Sequence, residues 1–134
     1  MSTTEMITAH PNPADNLDVA KLAEAIDAAL ACAQTCTACA DACLAEDMVA
    51  ELCDCIRTDL DCADICATTA AVLSRRTGSN MTVLKAQLEA CRTACATCAE
   101  ECESHAEMHE HCRICAEACR RCEQACADLL ATVG

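Results

Sequence analysis

The run ACRTACATCAEECESHAEMHEHC, residues 90–112, decides how this chain folds. Within it Cys91, Cys95, Cys98, Cys102, His105 and His109 follow one another at steps of four, three, four, three and four. At about 100° per residue, those six side chains share one face of a helix. Working outward, Cys112, Cys115, Cys119, Cys122 and Cys126 keep the same rhythm, and so do Cys32, Cys36, Cys39 and Cys43. A fourth run is interrupted: Cys55, Asp59, Cys62 and Cys66 put an aspartate where the step asks for a thiol. Cys53 falls about 160° away from Cys55 around the same helix. It joins Val49, Ile56 and Leu60 on a second apolar face, suited to a neighbouring helix or another subunit, and as a thiol it also counts among the candidate metal ligands.

Four striped segments predict four helices. The first covers roughly 17–45, capped by Asp15 or Asn16. The second covers roughly 48–76, closing on the cations Arg75 and Arg76 with Gly78 just beyond. The third opens at Ser79, Asn80 or Thr82 and runs to about His105, and the fourth runs from about 110 to Leu130. Short breaks between segments of similar length predict an all-α, antiparallel four-helix bundle with a Cys-lined core. Residues 1–14 contain both prolines and no periodicity, so a flexible arm is expected there, with His10 exposed and the bundle occupying 15–134.

Composition narrows the class. With 134 residues and no aromatic side chain, one domain must build its core from Leu, Ile, Val, Ala, Met and Cys. Seventeen cysteines would fit a secreted disulfide scaffold, but the count is odd, and a chain with two Gly and two Pro is not loop-rich. The opening MSTTEMITAHPNPADNLD shows neither a basic n-region nor an apolar h-region, so the expectation is a reducing, cytoplasmic location. No apolar run reaches transmembrane length. A net charge of −13 speaks against nucleic acid or an anionic membrane as partner. Asp41, Glu46, Glu51, Asp54, Asp61, Asp64, Glu100, Glu101, Glu103 and Glu117 read as a solvated outer face.

Thiolates select Cu(I), zinc or iron–sulfur clusters. Residues three or four apart on a helix have Cβ atoms about 5–6 Å apart, close enough for two thiolates to share an ion. Linear Cu(I) needs little more, whereas zinc needs a tetrahedron that usually comes from turns and knuckles. The ferredoxin run of Cys-x-x-Cys-x-x-Cys-x-x-x-Cys-Pro is absent. Metallothionein-like binding explains the count of thiols but not their helical order. A single buried Cys is ordinarily a small apolar filler, but sixteen of seventeen on inward stripes is not that pattern. Asp59 in a core must either lie near solvent or bind a cation.

His105 and His109 join the candidate ligands by phase, and His111 by standing four before Cys115. Met48 and Met108 flank the same two breaks, which an antiparallel bundle puts at one end as a mouth. The other end gathers Leu22, Ile26, Leu73, Val83, Leu84, Leu88, Leu129, Leu130 and Val133 as an apolar plug. No nucleophile and base stand apart from the thiols, so an enzyme is not expected. If each thiolate bridges two Cu(I) ions and each ion takes two thiolates, capacity is one ion per Cys, roughly seventeen to twenty with the other ligands added. A metal-delivery chaperone would need one exposed site, and a thiol redox buffer would need no metal at all.

These Cys-x-x-x-Cys and Cys-x-x-Cys steps on four helices, from about Leu17 to Leu130, resemble the bacterial copper storage proteins, in particular the cytosolic branch without an export signal. The resemblance implies a four-helix bundle that assembles as a tetramer, fills its core with many Cu(I) ions held by thiolates, and protects against copper toxicity. It also implies entry near one end through His and other non-thiol ligands, for which His105 and His109 with Asp59 are the matching positions.

Overall fold

The computed structural model describes residues 2–12, 14, 17–78 and 80–133. Four long helices form the bundle: α2 (Val19–Leu44), α3 (Cys53–Ser74), α4 (Met81–Glu103) and α5 (Glu110–Leu130), preceded by a short α1 (Ser2–Ala9). The bundle runs up-down-up-down, with α2 packed on α3 and α5, and α4 packed on the same two. Diagonal helices meet through sulfur: Cys36 Sγ lies 4.0 Å from Cys98 Sγ, and Cys66 Sγ 3.9 Å from Cys122 Sγ. Among the described residues no helix is long and apolar enough to cross a membrane.

Local chemistry sets the helix ends. Asp18 opens α2, its Oδ1 accepting from the Lys21 N–H, while the expected caps Asp15 and Asn16 lie outside the described residues. Asn80 opens α4 by accepting from the Val83 N–H at 3.2 Å; Ser79 lies outside the described residues. Gly78 adopts φ +59°, the left-handed turn that the link between α3 and α4 requires. Two expectations need correcting at α3. Its first residues, Val49–Leu52, form a 3₁₀ turn instead of α-helix, and its last is Ser74, so Arg76 is beyond the helix.

Arg76 is buried and donates to the Ile7 carbonyl at 2.7 Å and the Asn12 carbonyl at 3.1 Å. This contact explains why residues 2–9, expected as an irregular arm, form a helix against α2. Ile7 is buried, Thr3 donates to Asp27, and the guanidinium ties the last turn of this helix, at the Ile7 carbonyl, to the Asn12 carbonyl just beyond it. His10, expected to be simply exposed, is half-buried and accepts from the Asn12 N–H.

The interior divides along its length. Leu22, Leu73, Leu88 and Leu129 are fully buried at the end near α1, and each contributes about 1.5–3 kcal/mol of burial. Beyond them the core is sulfur, up to the end where the α2–α3 and α4–α5 connections lie together.

Candidate metal centre

Sixteen cysteines are buried and free, and they form one continuous column. Starting at the plug, Cys66 touches Cys91 at 3.8 Å, Cys95 at 3.5 Å and Cys62 at 3.8 Å. Cys62 meets Cys32 at 3.8 Å, and Cys32 meets Cys36 at 3.7 Å and Cys119 at 3.8 Å. Cys36 contacts Cys119 at 3.5 Å and Cys115 at 3.6 Å. Higher up, Cys98 and Cys55 both lie 3.9 Å from Cys102, and Cys39 lies 3.9 Å from Cys112. Cys122 meets Cys91 at 3.8 Å, while Cys43 and Cys126 are fully buried on the same stripes.

Ligand atoms within 4.8 Å of one another form overlapping sets. Cys32, Cys66, Cys95 and Cys122 make one, and Cys32 recurs in a second with Cys36, Cys62 and Cys119. Cys36 and Cys119 recur in a third with Cys98 and Cys115. A structural zinc site has four ligands of its own, whereas these candidate sets share sulfurs. Sets that share sulfurs would let one thiolate bridge two ions, as a polynuclear Cu(I) core requires. Charge points the same way: fused four-thiolate zinc sites would stack uncompensated anions in a dry interior, while one Cu(I) per lost thiol proton keeps it neutral.

Asp59 is fully buried at the level of Cys98 and Cys115. Its Oδ1 accepts from the thiols of Cys98 at 3.0 Å, Cys115 at 3.3 Å and Cys102 at 3.4 Å. Burial, joined by the neighbouring Cys98, pushes its carboxyl up to about 9, so it is protonated at neutral pH. Burial likewise raises Cys43 to about 11 and Cys112 above the ordinary thiol range. The protons that burial keeps on these groups are ones that an entering cation can displace.

At the mouth the imidazoles are not arranged as helical phase alone predicts. His111 is the one that reaches the thiols: its Nδ1 lies 3.3 Å from Cys39 Sγ and 3.6 Å from Cys112 Sγ. It completes a four-ligand set with Cys39, Cys43 and Cys112. His109 stands at the entrance to α5 and stacks on His111, ring centroids 5.5 Å apart. His105 turns aside. Helix α4 ends at Glu103, the following turn breaks the phase, and His105 pairs with Glu101 at 3.3 Å. Met48 and Met108 are exposed at this end.

Cys53, counted among the candidate ligands, is corrected: it is exposed, with its sulfur against the Val49 carbonyl, and the structure does not bring it to the column. Its phase opposite Cys55 is the sequence signal for that. Glu46, expected on the solvated outer face, belongs instead to the mouth. It is half-buried, and its Oε2 lies 2.8 Å from His111 Nε2 and 3.0 Å from His109 Nδ1. Hydrogen bonding to His111 holds its carboxyl below the usual range. His111 is raised in turn: burial opposes its charge, but the bonds to Cys39 and Glu46 outweigh that.

The sequence profile of the copper storage protein family matches residues 18–131. Among solved structures, the copper storage protein Ccsp from Streptomyces lividans, loaded with 10 copper equivalents, is 56% identical with a TM-score of 0.95, covering 96% of this chain and 98% of that one. A structure of copper loading to a cytosolic copper storage protein from the same organism, with five coppers, is 64% identical with a TM-score of 0.82, covering 83% and 92%. An uncharacterized cysteine-rich protein, YhjQ of Bacillus subtilis, is 38% identical over 111 residues, 79% of this chain and 93% of its own length. With the family profile spanning all four long helices and the thiol column in place, this chain belongs to the copper storage protein family.

Proposed function

We propose that this protein is a cytosolic store that takes many Cu(I) ions into its bundle and so keeps copper from reacting elsewhere. The observation that carries this reading is the column itself: sixteen buried thiols in contact from plug to mouth, with ligand sets that share sulfurs. A chaperone would expose one site for fast transfer, and a catalytic metal would keep a position open for substrate. A buried column offers capacity instead. The S. lividans relatives that carry five and 10 coppers support the same cargo here.

In this reading the buried cysteines and Asp59 are ligands, and His111 with Cys39, Cys43 and Cys112 forms the first site met from the mouth. His109 and His105 stand around it. Each ion entering displaces a thiol proton, and the helices need not move far because the sulfurs already touch. A homotetramer is the assembly that the resemblance implies.

The test is metal analysis of the protein purified without air from copper-fed cells. We expect copper at many ions per chain. About one ion per chain would mean a chaperone, and a metal-free protein that cycles its thiols to disulfides would mean a redox buffer.

A further inference from the structure

Glu46 lies in the loop after α2, and through one oxygen it meets both mouth imidazoles: His111 Nε2 at 2.8 Å and His109 Nδ1 at 3.0 Å. A carboxylate oxygen only accepts, so an imidazole nitrogen this close to it must carry the proton. Neutral His111 is therefore the Nε2–H form. Its lone pair sits on Nδ1, 3.3 Å from Cys39 Sγ and 3.6 Å from Cys112 Sγ, where a thiol can donate to it until copper takes that place. Neutral His109 is the opposite form, protonated on Nδ1 with its lone pair on Nε2. The two rings are stacked, 20° from parallel, with the shared carboxylate oxygen reaching a nitrogen of each.

We propose that Glu46 is a positioning residue for copper uptake, fixing His109 and His111 in opposite tautomers so that Cu(I) is taken by Nε2 of the first and passed to Nδ1 of the second, beside Cys39 and Cys112. The proposal rests on the copper-store reading. No electron moves: copper exchanges one lone-pair donor for another and remains Cu(I). When it reaches Cys39, the S–H bond breaks, the thiolate binds the ion and the proton leaves to water. Carboxylates behind a ligating histidine set which nitrogen faces the metal, and removing them typically costs about 10–100-fold in affinity or activity.

Two measurements test this on the full-length, reduced, metal-free protein. The first is ¹⁵N NMR of the histidines at about pH 8.5, well above the ordinary imidazole pKa. Wild type should show His111 as Nε2–H and His109 as Nδ1–H. In Glu46→Ala, His109 should revert to the Nε2–H form that free imidazole prefers. The second is the initial rate of anaerobic Cu(I) uptake from a coloured Cu(I) chelate. Glu46→Ala should be about tenfold slower with unchanged final capacity, and Glu46→Gln, which keeps an acceptor oxygen without the charge, should recover most of the rate. Identical tautomers in wild type would overturn the proposal, as would unchanged uptake in Glu46→Ala or a Glu46→Gln protein as slow as Glu46→Ala, which would mean charge alone. A wild type that takes up no copper would instead sink the storage reading, while the tautomers are read without any metal.

Discussion

Replacing Asp59 by Asn should stabilise the metal-free protein at neutral and alkaline pH. Asp59 is fully buried, and burial raises its carboxyl from 3.8 to about 9. Between those values the folded chain holds a proton that the unfolded chain has released. The stability from this group is therefore complete below the unfolded pKa and is lost as pH rises through the folded one. One proton of difference is about 1.4 kcal/mol per pH unit, so from about pH 5.5 to 8 the wild type should lose about 3 kcal/mol through Asp59. His111, also raised, adds a smaller loss of the same sign, whereas the lowered Glu24, Glu103 and Glu110 act only in acid. The amide of Asp59→Asn has no such proton to lose and keeps a carbonyl oxygen for the thiols of Cys98, Cys102 and Cys115. Urea unfolding followed by circular dichroism, on fully reduced metal-free protein, should show a steep fall for wild type and a nearly flat line for Asp59→Asn. Parallel lines would refute the reasoning, because they would mean that Asp59 is ionised throughout and its burial is compensated by the surrounding thiols.

The fully reduced, metal-free chain should already give a strong helical circular dichroism spectrum, because the leucine plug and the α1 contacts need no ion; a coil that folds only with Cu(I) would show metal-coupled folding instead. Anaerobic titration should saturate at roughly sixteen to twenty Cu(I) per chain, one per buried thiol plus a few from His111 and Asp59, and saturation near eight would sink the bridged core. Cys53→Ser should leave that capacity and the stability unchanged within about 0.5 kcal/mol, and mass spectrometry should find Cys53 alkylated first in the native wild type. At the mouth, His111→Ala should slow uptake roughly tenfold and cost at most about one ion, while His105→Ala should leave the uptake rate close to wild type.

The thiol column was legible in the sequence because helical phase is a local property. Steps of three and four put sixteen cysteines on inward faces, and all sixteen are buried; Cys53, kept as a candidate ligand in spite of its phase opposite Cys55, is exposed. The phase also put Asp59 inside, where it accepts from three thiols. Phase stops at a helix end. Counting on from Cys102 aimed His105 inward, but α4 finishes at Glu103 and the ring turns to Glu101. His111 could be named from its own helix, four residues before Cys115, but its contact with Cys39, 72 residues away, depends on how two loops settle at one end. Glu46 was hidden for the same reason: beside Asp47 and Met48 it reads as a solvated loop acid, and only the return of the chain 65 residues later gives it an imidazole. Residues 2–9 repeat the lesson at the far end, where Arg76, read as a helix-end cation, holds a helix too short to persist alone. Capacity is thus written in the helices and can be counted from spacing, whereas access is written in contacts between distant loops. The two should respond to mutation independently: a change at Glu46 or His111 should act on the rate of filling, and a change on a stripe should act on how much is held.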